Sequence, residues 1–248
     1  MIGLLSTECN PLEHYYVSYI NRIYLPRLIL IRDPKGISQR DIDIIHERTD
    51  NYFLQIPQNS ILMPSSDCNK LASASLAHTY ESIFPLVDSL GIRVLVNIGS
   101  PRKISPDLIS AIPQGIINIH PGYLPYYRGC SAVEWSLLEN FPVANSVHFM
   151  ETDYDSGPII GIYKTPINSL DTYYQVRQKV HLQSFLLLAN LVSKCVELKQ
   201  TRLPSAAQEH SLAINRSPLS HQTFLSLCDN DYLYTGPSNR RASFFSFI

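Results

Sequence analysis

The stretch Gly115-Ile116-Ile117-Asn118-Ile119-His120-Pro121 reads as a short buried strand that ends in polar side chains. Its apolar residues are β-branched, and Pro121 lacks the N–H needed to continue a ladder. Asn118 and His120 stand two residues apart, so on extended backbone both side chains leave the same face, about 7 Å apart. The chain around this strand alternates short apolar runs with helical patterns. In such a chain the carboxyl ends of the strands form a sheet edge where ligands bind, which makes Asn118 and His120 candidate functional groups.

Working outward, residues 2–5 read as a first strand, 11–23 as a helix, 27–31 as a second strand and 38–48 as an amphipathic helix. Residues 60–68 form a polar turn region, and 71–90 a helical stretch interrupted by Pro85. Strands follow at 92–98 and 115–119, with a short helix at 106–112 between them. Beyond the central stretch the pattern predicts a helix at 131–139 and strands at 146–150 and 157–163. A long helix at 172–198 carries an apolar stripe through Val176, Val180, Phe185, Leu188 and Leu191. The expected class is α/β, a doubly wound, mostly parallel, Rossmann-like sheet. From residue 200 onward Ser, Pro, Asn and isolated aromatics replace sustained periodicity, so the chain divides into a catalytic domain at 1–199 and a carboxyl-terminal appendage or tail at 200–248.

A third group joins the two polar residues. Asp155-Ser156-Gly157 offers a carboxylate, and carboxamide, imidazole and carboxylate together suit acyl transfer. When an amine attacks an acyl carbon, a carboxamide N–H and a protonated imidazole can stabilise the tetrahedral oxygen. A nearby carboxylate favours the imidazolium and can receive or relay the proton that the nitrogen must lose. Taken singly each residue has a plainer reading: a structural histidine, a turn asparagine, a loop that starts a strand.

The flanking residues carry more. Asn118 through Gly129, read as Asn-Ile-His-Pro-Gly-Tyr-Leu-Pro-Tyr-Tyr-Arg-Gly, resembles the signature of the folate-dependent formyltransferases. Val147-His148-Phe149-Met150, continuing through Asp153-Tyr154-Asp155-Ser156-Gly157-Pro158-Ile159-Ile160, resembles that family's second motif. The resemblance implies Asn118, His120 and Asp155 as the catalytic triad and 10-formyltetrahydrofolate as formyl donor. It also implies that the loop from Gly99 to Pro106 holds the folate pterin ring through backbone groups. Pro101, Arg102, Lys103 and Ile104 are then cofactor-lining residues, as are Asp153 and Tyr154 of the second motif; the plainer reading of this loop is a strand-to-helix turn with Ser105-Pro106 as helix cap. Tyr126, Tyr127 and Arg128 then border the channel of the amine; the plainer reading has Gly129 supplying a backbone turn and Tyr126 and Tyr127 covering the core edge.

The acceptor is read by elimination within the resemblance. After the first strand stands Ser6-Thr7-Glu8-Cys9-Asn10-Pro11, which lacks the glycines of a phosphate loop and adds an acidic residue, so a glycinamide ribonucleotide acceptor is disfavoured. The tail is too short and too neutral for the extra domain of the methionyl-tRNA enzymes. What remains resembles the sugar N-formyltransferases, whose amine sits on a nucleotide-linked sugar. A formyltetrahydrofolate hydrolase and a non-catalytic folate- or nucleotide-binding protein stay open as other readings. A nicotinamide oxidoreductase fits poorly, because no GxGxxG follows the first strand.

Composition frames these expectations. A chain of 248 residues, 45% hydrophobic and 17% charged, buries a substantial core. The formal charge of −1 gives no global attraction to nucleic acid or an anionic membrane. Cys9, Cys68, Cys130, Cys195 and Cys228 are odd in number and lack CxxC spacing, so neither a metal site nor a disulfide framework is expected. With no signal-like start and no apolar run of membrane length, a cytoplasmic location is expected, and a homodimer is left open.

Overall fold

A computed structural model of the protein describes residues 1–21, 28–55, 76–77, 83–99, 103–198 and 201–229. In chain order its elements are β1 (Ile2–Thr7), α1 (Glu13–Asn21), β2 (Leu28–Asp33), α2 (Gln39–Arg48), α3 (Tyr52–Gln55), β3 (Leu76–Ala77) and α4 (Phe84–Leu90). They continue as β4 (Val94–Asn97), α5 (Pro106–Ala111), β5 (Ile116–His120), β6 (Arg128–Gly129), α6 (Ala132–Leu138), β7 (Ala144–Phe149) and β8 (Ile159–Lys164). The last are α7 (Tyr173–Glu197), a 3-10 turn (His210–Leu212), β9 (Asn215–Arg216) and α8 (His221–Asp229).

Seven strands form one sheet in the order β3-β2-β1-β4-β5-β7-β8. The first five are parallel; β5–β7 and β7–β8 are antiparallel. Alternation along the strands divides the core in two. Ile2, Leu4, Leu28, Leu30, Val94, Val96 and Ile117 face α1 and α7, where they meet Val17, Ile20, Leu188 and Leu191. Leu5, Ile29, Ile31, Leu95 and Ile116 face the other way and meet Val87 of α4 and Leu108 of α5. Both faces are covered, which is why these strands read as continuous apolar runs in the sequence.

α7 runs 25 residues and crosses the first face. Thr172 caps it through a capping box with Gln175, and Val176, Val180, Phe185, Leu188 and Leu191 are all buried. Each such side chain contributes about 1.5–3 kcal/mol on leaving water.

Two local readings change. Of the helix expected over 71–90, residues 71–75 and 78–82 lie outside the described residues; a helix runs over Phe84–Leu90, and Pro85 lies in its first turn, where a missing N–H leaves no hydrogen bond unmade. Leu76–Ala77, inside the expected helix, instead pairs in parallel with Ile31 and Arg32 of β2, because a free sheet edge outweighs a weak local helix preference. The turn region expected at 60–68 lies outside the described residues. Among the described residues no helix is long and apolar enough to cross a membrane.

The described part of the tail, 201–229, lies against the rest of the protein. Ala206 bridges Ile159 at the edge of the sheet. β9 pairs in parallel with β6. Phe224 and Leu227 of α8 are buried beside Val133, Leu137, Tyr173 and Val176.

Candidate active site

β5 ends at the carboxyl edge of the parallel strands, and Pro121-Gly122-Tyr123-Leu124 turns the chain away. Ser146 on neighbouring β7 pins this turn, donating to the Gly122 carbonyl at 2.6 Å and accepting from Leu124 N–H at 3.1 Å. A Cβ on Gly122 would collide with His120 Nε2 and lie 2.6 Å from the Tyr127 carbonyl, so only glycine lets the ring and that carbonyl approach.

Asn118 and His120 lie at different depths. Asn118 lines a cavity of about 280 Å³ bounded by Asn97, Gly99, Lys103, Ile104, Pro121, His148, Met150 and the 151–155 loop, with Tyr16 and Ile119. His120 is not among the lining residues; only 4% of it is exposed. Its Nε2 donates to the Tyr127 carbonyl at 2.7 Å, since a carbonyl can only accept, and its Nδ1 lies 3.3 Å from Asp155 Oδ2.

Asp155 stands between His120 and the cavity. Its backbone is left-handed, φ 52°, a conformation that Asp tolerates better than most residues. Oδ2 accepts from Gly129 N–H at 2.9 Å, and Oδ1 lies 3.5 Å from His148 Nε2. Burial works against its charge, but His120, His148 and the Gly129 N–H outweigh burial and hold the carboxyl well below the usual carboxylate range. Burial also lowers the His120 pKa from its ordinary value; Asp155 opposes that shift and His148 adds to it. The pair therefore holds an ionised carboxylate beside an imidazole that releases its proton readily. Any proton the imidazole takes up goes to Nδ1, between ring and carboxylate.

His148 had no role in the sequence reading beyond its place in the second motif. Register brings it to the site: on β7 it is the cross-strand partner of Asn118. Asn118 Nδ2 donates to His148 Nε2 at 3.2 Å, and His148 Nδ1 donates to the Phe149 carbonyl at 2.8 Å.

The expected lining residues divide. Lys103, Ile104, Asp153 and Tyr154 all border the cavity, while Pro101 and Arg102 lie outside the described residues. Lys103 reaches across the mouth, 3.7 Å from Asp153 and over the Tyr154 ring. Exposed as it is, that pair contributes under about 1 kcal/mol. The apolar lining from Ile104 and Met150, together with the polar groups of Asn118 and Asp155, suits a flat heterocycle whose reactive end is polar.

Tyr126, Tyr127 and Arg128 do not line this cavity. Tyr126 packs on Tyr123 and Phe141, and Tyr127 is buried with its hydroxyl on Glu139 at 2.8 Å. Arg128 is buried and donates to Gln208 Oε1 through Nε at 3.1 Å and Nη2 at 2.6 Å. Gln208 Nε2 in turn donates to the carbonyls of Asp155 and Gly157, at 2.8 and 2.7 Å. A tail residue that the sequence reading missed thus braces the Asp155 loop.

A protein-family model described as formyl transferase matches residues 54–191, more than half of the 248-residue chain. The protein belongs to the formyl transferase family. Solved structures agree on the fold. A sugar N-formyltransferase from a Shewanella species has 16% sequence identity over 88% of this chain and 77% of its own, with a TM-score of 0.56. A 4-N formyltransferase from Francisella tularensis has 14% identity over 97% and 90%, with a TM-score of 0.59. Phosphoribosylglycinamide formyltransferase from Streptococcus pneumoniae has 18% identity over 79% and 98%, with a TM-score of 0.56. The fold is thus common to solved structures named as a sugar N-formyltransferase and as a phosphoribosylglycinamide formyltransferase.

Proposed function

We propose that this formyltransferase moves a formyl group from 10-formyltetrahydrofolate to the primary amine of a nucleotide-linked amino sugar. The observation that carries formyl transfer is the convergence of Asn118 and Asp155 on one cavity, with buried His120 3.3 Å from Asp155. As the amine attacks, charge collects on the formyl oxygen, and the Asn118 Nδ2 hydrogen not taken by His148 is the donor placed for it. The nitrogen must then lose a proton. Asp155 is the accepting group at the cavity, but its low pKa makes it a poor final holder. Passing the proton 3.3 Å to His120 Nδ1 restores the carboxylate and leaves both imidazole hydrogens bound to acceptors.

The donor reading is supported by similar proteins solved with folates. A formyltransferase from Anoxybacillus kamchatkensis was solved with UDP-4,6-dideoxy-4-formamido-L-AltNAc and tetrahydrofolate. An N-formyltransferase from Helicobacter canadensis was solved with folinic acid and dTDP-3-aminofucose. Ile104, Tyr154 and the backbone of their loops would hold the ring system of the donor, which supplies the activated formyl group.

The β1–α1 loop favours a sugar acceptor over a ribonucleotide phosphate. Asn10 occupies this loop: its Nδ2 donates to Ser6 Oγ and the Ile98 carbonyl, and its Oδ1 takes the Leu12 N–H. The first turn of α1 carries Glu13, held by Arg32 through Nε and Nη2 at 3.0 and 2.5 Å. Backbone N–H groups and helix dipole there are directed to the protein's own oxygens, leaving a poor cradle for phosphate. The deciding experiment incubates the protein with 10-formyltetrahydrofolate and UDP- or dTDP-linked amino sugars, glycinamide ribonucleotide, methionyl-tRNA or no amine. Tetrahydrofolate release and the mass of the formylated product are read. Release without an amine would make the protein a hydrolase, and no release in any arm would make it a binder.

A further inference from the structure

Four hydrogen bonds link Gly99, Asn97, Asn118 and His148, all of which line the cavity, and end on the Phe149 carbonyl. Gly99 N–H donates to Asn97 Oδ1 at 3.2 Å, and Asn97 Nδ2 donates to Asn118 Oδ1 at 3.1 Å. Asn118 Nδ2 donates to His148 Nε2 at 3.2 Å, and His148 Nδ1 donates to the Phe149 carbonyl at 2.8 Å. The two ends are backbone groups with fixed roles: an amide N–H can only donate, a carbonyl can only accept. The Gly99 N–H sets the direction of both asparagines, and the Phe149 carbonyl places a hydrogen on His148 Nδ1. Neither asparagine can turn its amide over without leaving two donors or two acceptors facing each other in a partly buried place; at His148 the Phe149 carbonyl and Asn118 Nδ2 favour hydrogen on Nδ1 against the opposing pull of Asp155 Oδ1, 3.5 Å from Nε2.

We infer that Asn97 is a positioning residue for formyl transfer: by donating to Asn118 Oδ1 it turns the Asn118 Nδ2 toward the reacting oxygen. This rests on the formyl-transfer reading above. An asparagine amide is nearly symmetric in shape, so packing alone cannot choose between presenting a donor and presenting an acceptor to the cavity. One Nδ2 hydrogen of Asn118 is taken by His148, and no described residue accepts the other, which is left for the formyl oxygen. A reversed amide would meet the developing negative charge with its own oxygen. Asn97 reaches this position from the end of β4, beside β5, with Gly99 two residues further along the same turn.

The test uses the full chain and two substitutions that differ in what they ask of Asn118. Asn97→Ala removes the anchor on Asn118 Oδ1 and leaves the amide held by His148 alone. Asn97→Asp keeps the size and the Gly99 N–H contact but is acceptor-only when ionised. It pulls Asn118 Nδ2 to itself, turns Asn118 Oδ1 toward His148 and requires a hydrogen on His148 Nε2. Turnover should fall about tenfold or less in Asn97→Ala and about a hundredfold or more in Asn97→Asp, the scale of losing one oxyanion donor. Donor affinity by fluorescence titration should stay within a few-fold. A ¹⁵N NMR measurement of the His148 ring should show hydrogen on Nδ1 alone in the wild type and on Nε2 in Asn97→Asp. Asn97→Asp as active as Asn97→Ala, or a wild-type ring carrying its hydrogen on Nε2 alone, would overturn the inference. Failure of the wild type to formylate any amine would overturn the formyl-transfer reading instead, and the ring measurement would still test the direction of these hydrogen bonds.

Discussion

Gln208 accepts both the Nε and the Nη2 hydrogens of Arg128 on one oxygen, across 80 residues of chain. Its amide hydrogens continue the contact to the carbonyls of Asp155 and Gly157. The same residue therefore anchors a buried guanidinium and the loop that presents the Asp155 carboxylate. Gln208→Ala should cost about 1–3 kcal/mol by leaving buried partners unmade, and should lower turnover by loosening Asp155. Gln208→Glu separates the two halves: it still accepts from Arg128 but has nothing to donate to the two carbonyls. Its melting temperature should lie nearer wild type than that of the alanine variant, while turnover stays low. Equal turnover in Gln208→Glu and wild type would show that the carbonyl contacts do not position Asp155.

Gly122 sits where a side chain would press on both His120 and the Tyr127 carbonyl that His120 holds. An alanine Cβ would also lie 2.8 Å from Ala132 Cβ at the start of α6. No neighbour there is the loose end of a long side chain, so the backbone has to move. Gly122→Ala should destabilise by about 1–3 kcal/mol and lower turnover. Thermal melts and steady-state assays check this; wild-type values in both would mean that the turn accommodates the methyl and that the His120 position is not critical.

Much of this architecture is legible in the sequence because its physics is local. The strands read as apolar runs since both faces are covered, and Ser38, Ser105 and Thr172 cap α2, α5 and α7 through their own side chains. The polar residues at the end of β5 and Asp155 are legible as chemistry. Their depth is not: alternation says which face a side chain takes, and only the turn at Gly122 shows that His120 is tucked behind Asp155. His148 becomes an Asn118 partner through the antiparallel register of β5 and β7, which no local pattern encodes. Gln208 is hidden for the same reason more strongly. It lies in a segment without periodicity, and its partners are set by two short strands, β6 and β9, of two residues each.

The pairing of Asp155 with His120 gives a signed pH prediction. Asp155 raises the His120 pKa, whereas burial and His148 lower it. In Asp155→Asn the raising influence is gone, so the His120 pKa falls further. If turnover needs an unprotonated His120 to take up the amine's proton, the acid limb of the pH profile moves to lower pH in this variant. Plateau turnover should fall about 10²–10⁴-fold with loss of the proton-accepting carboxylate. His120→Ala should remove that limb and lower turnover on the same scale. An acid limb at the same pH in wild type and Asp155→Asn would assign it to another group.

Residues 205–229 join the site to the rest of the chain, and removing 205–248 tests how. The loss would include the Gln208 brace and the contact of His210 Nδ1 with Arg128 at 3.3 Å. It would also include the backbone bonds from Arg128 N–H to Ile214 and from Cys130 N–H to Arg216, both 3.1 Å. Ile159 and Ala206 would lose the two 2.8 Å bonds they exchange. Phe224 and Leu227 would leave the core, at about 1.5–3 kcal/mol each. Set against a net stability of about 5–15 kcal/mol for a typical domain, these losses are large. Because Gly129 N–H holds Asp155 and Gly129 belongs to β6, the strand that β9 supports, the damage should reach the Asp155 side of the cavity as well as any acceptor surface. The truncated protein should melt at a markedly lower temperature, with kcat, donor affinity and amine affinity falling together. A soluble truncated chain with wild-type kcat and donor affinity, and only a raised amine KM, would instead make the tail an acceptor-binding element that the Asp155 loop does not need.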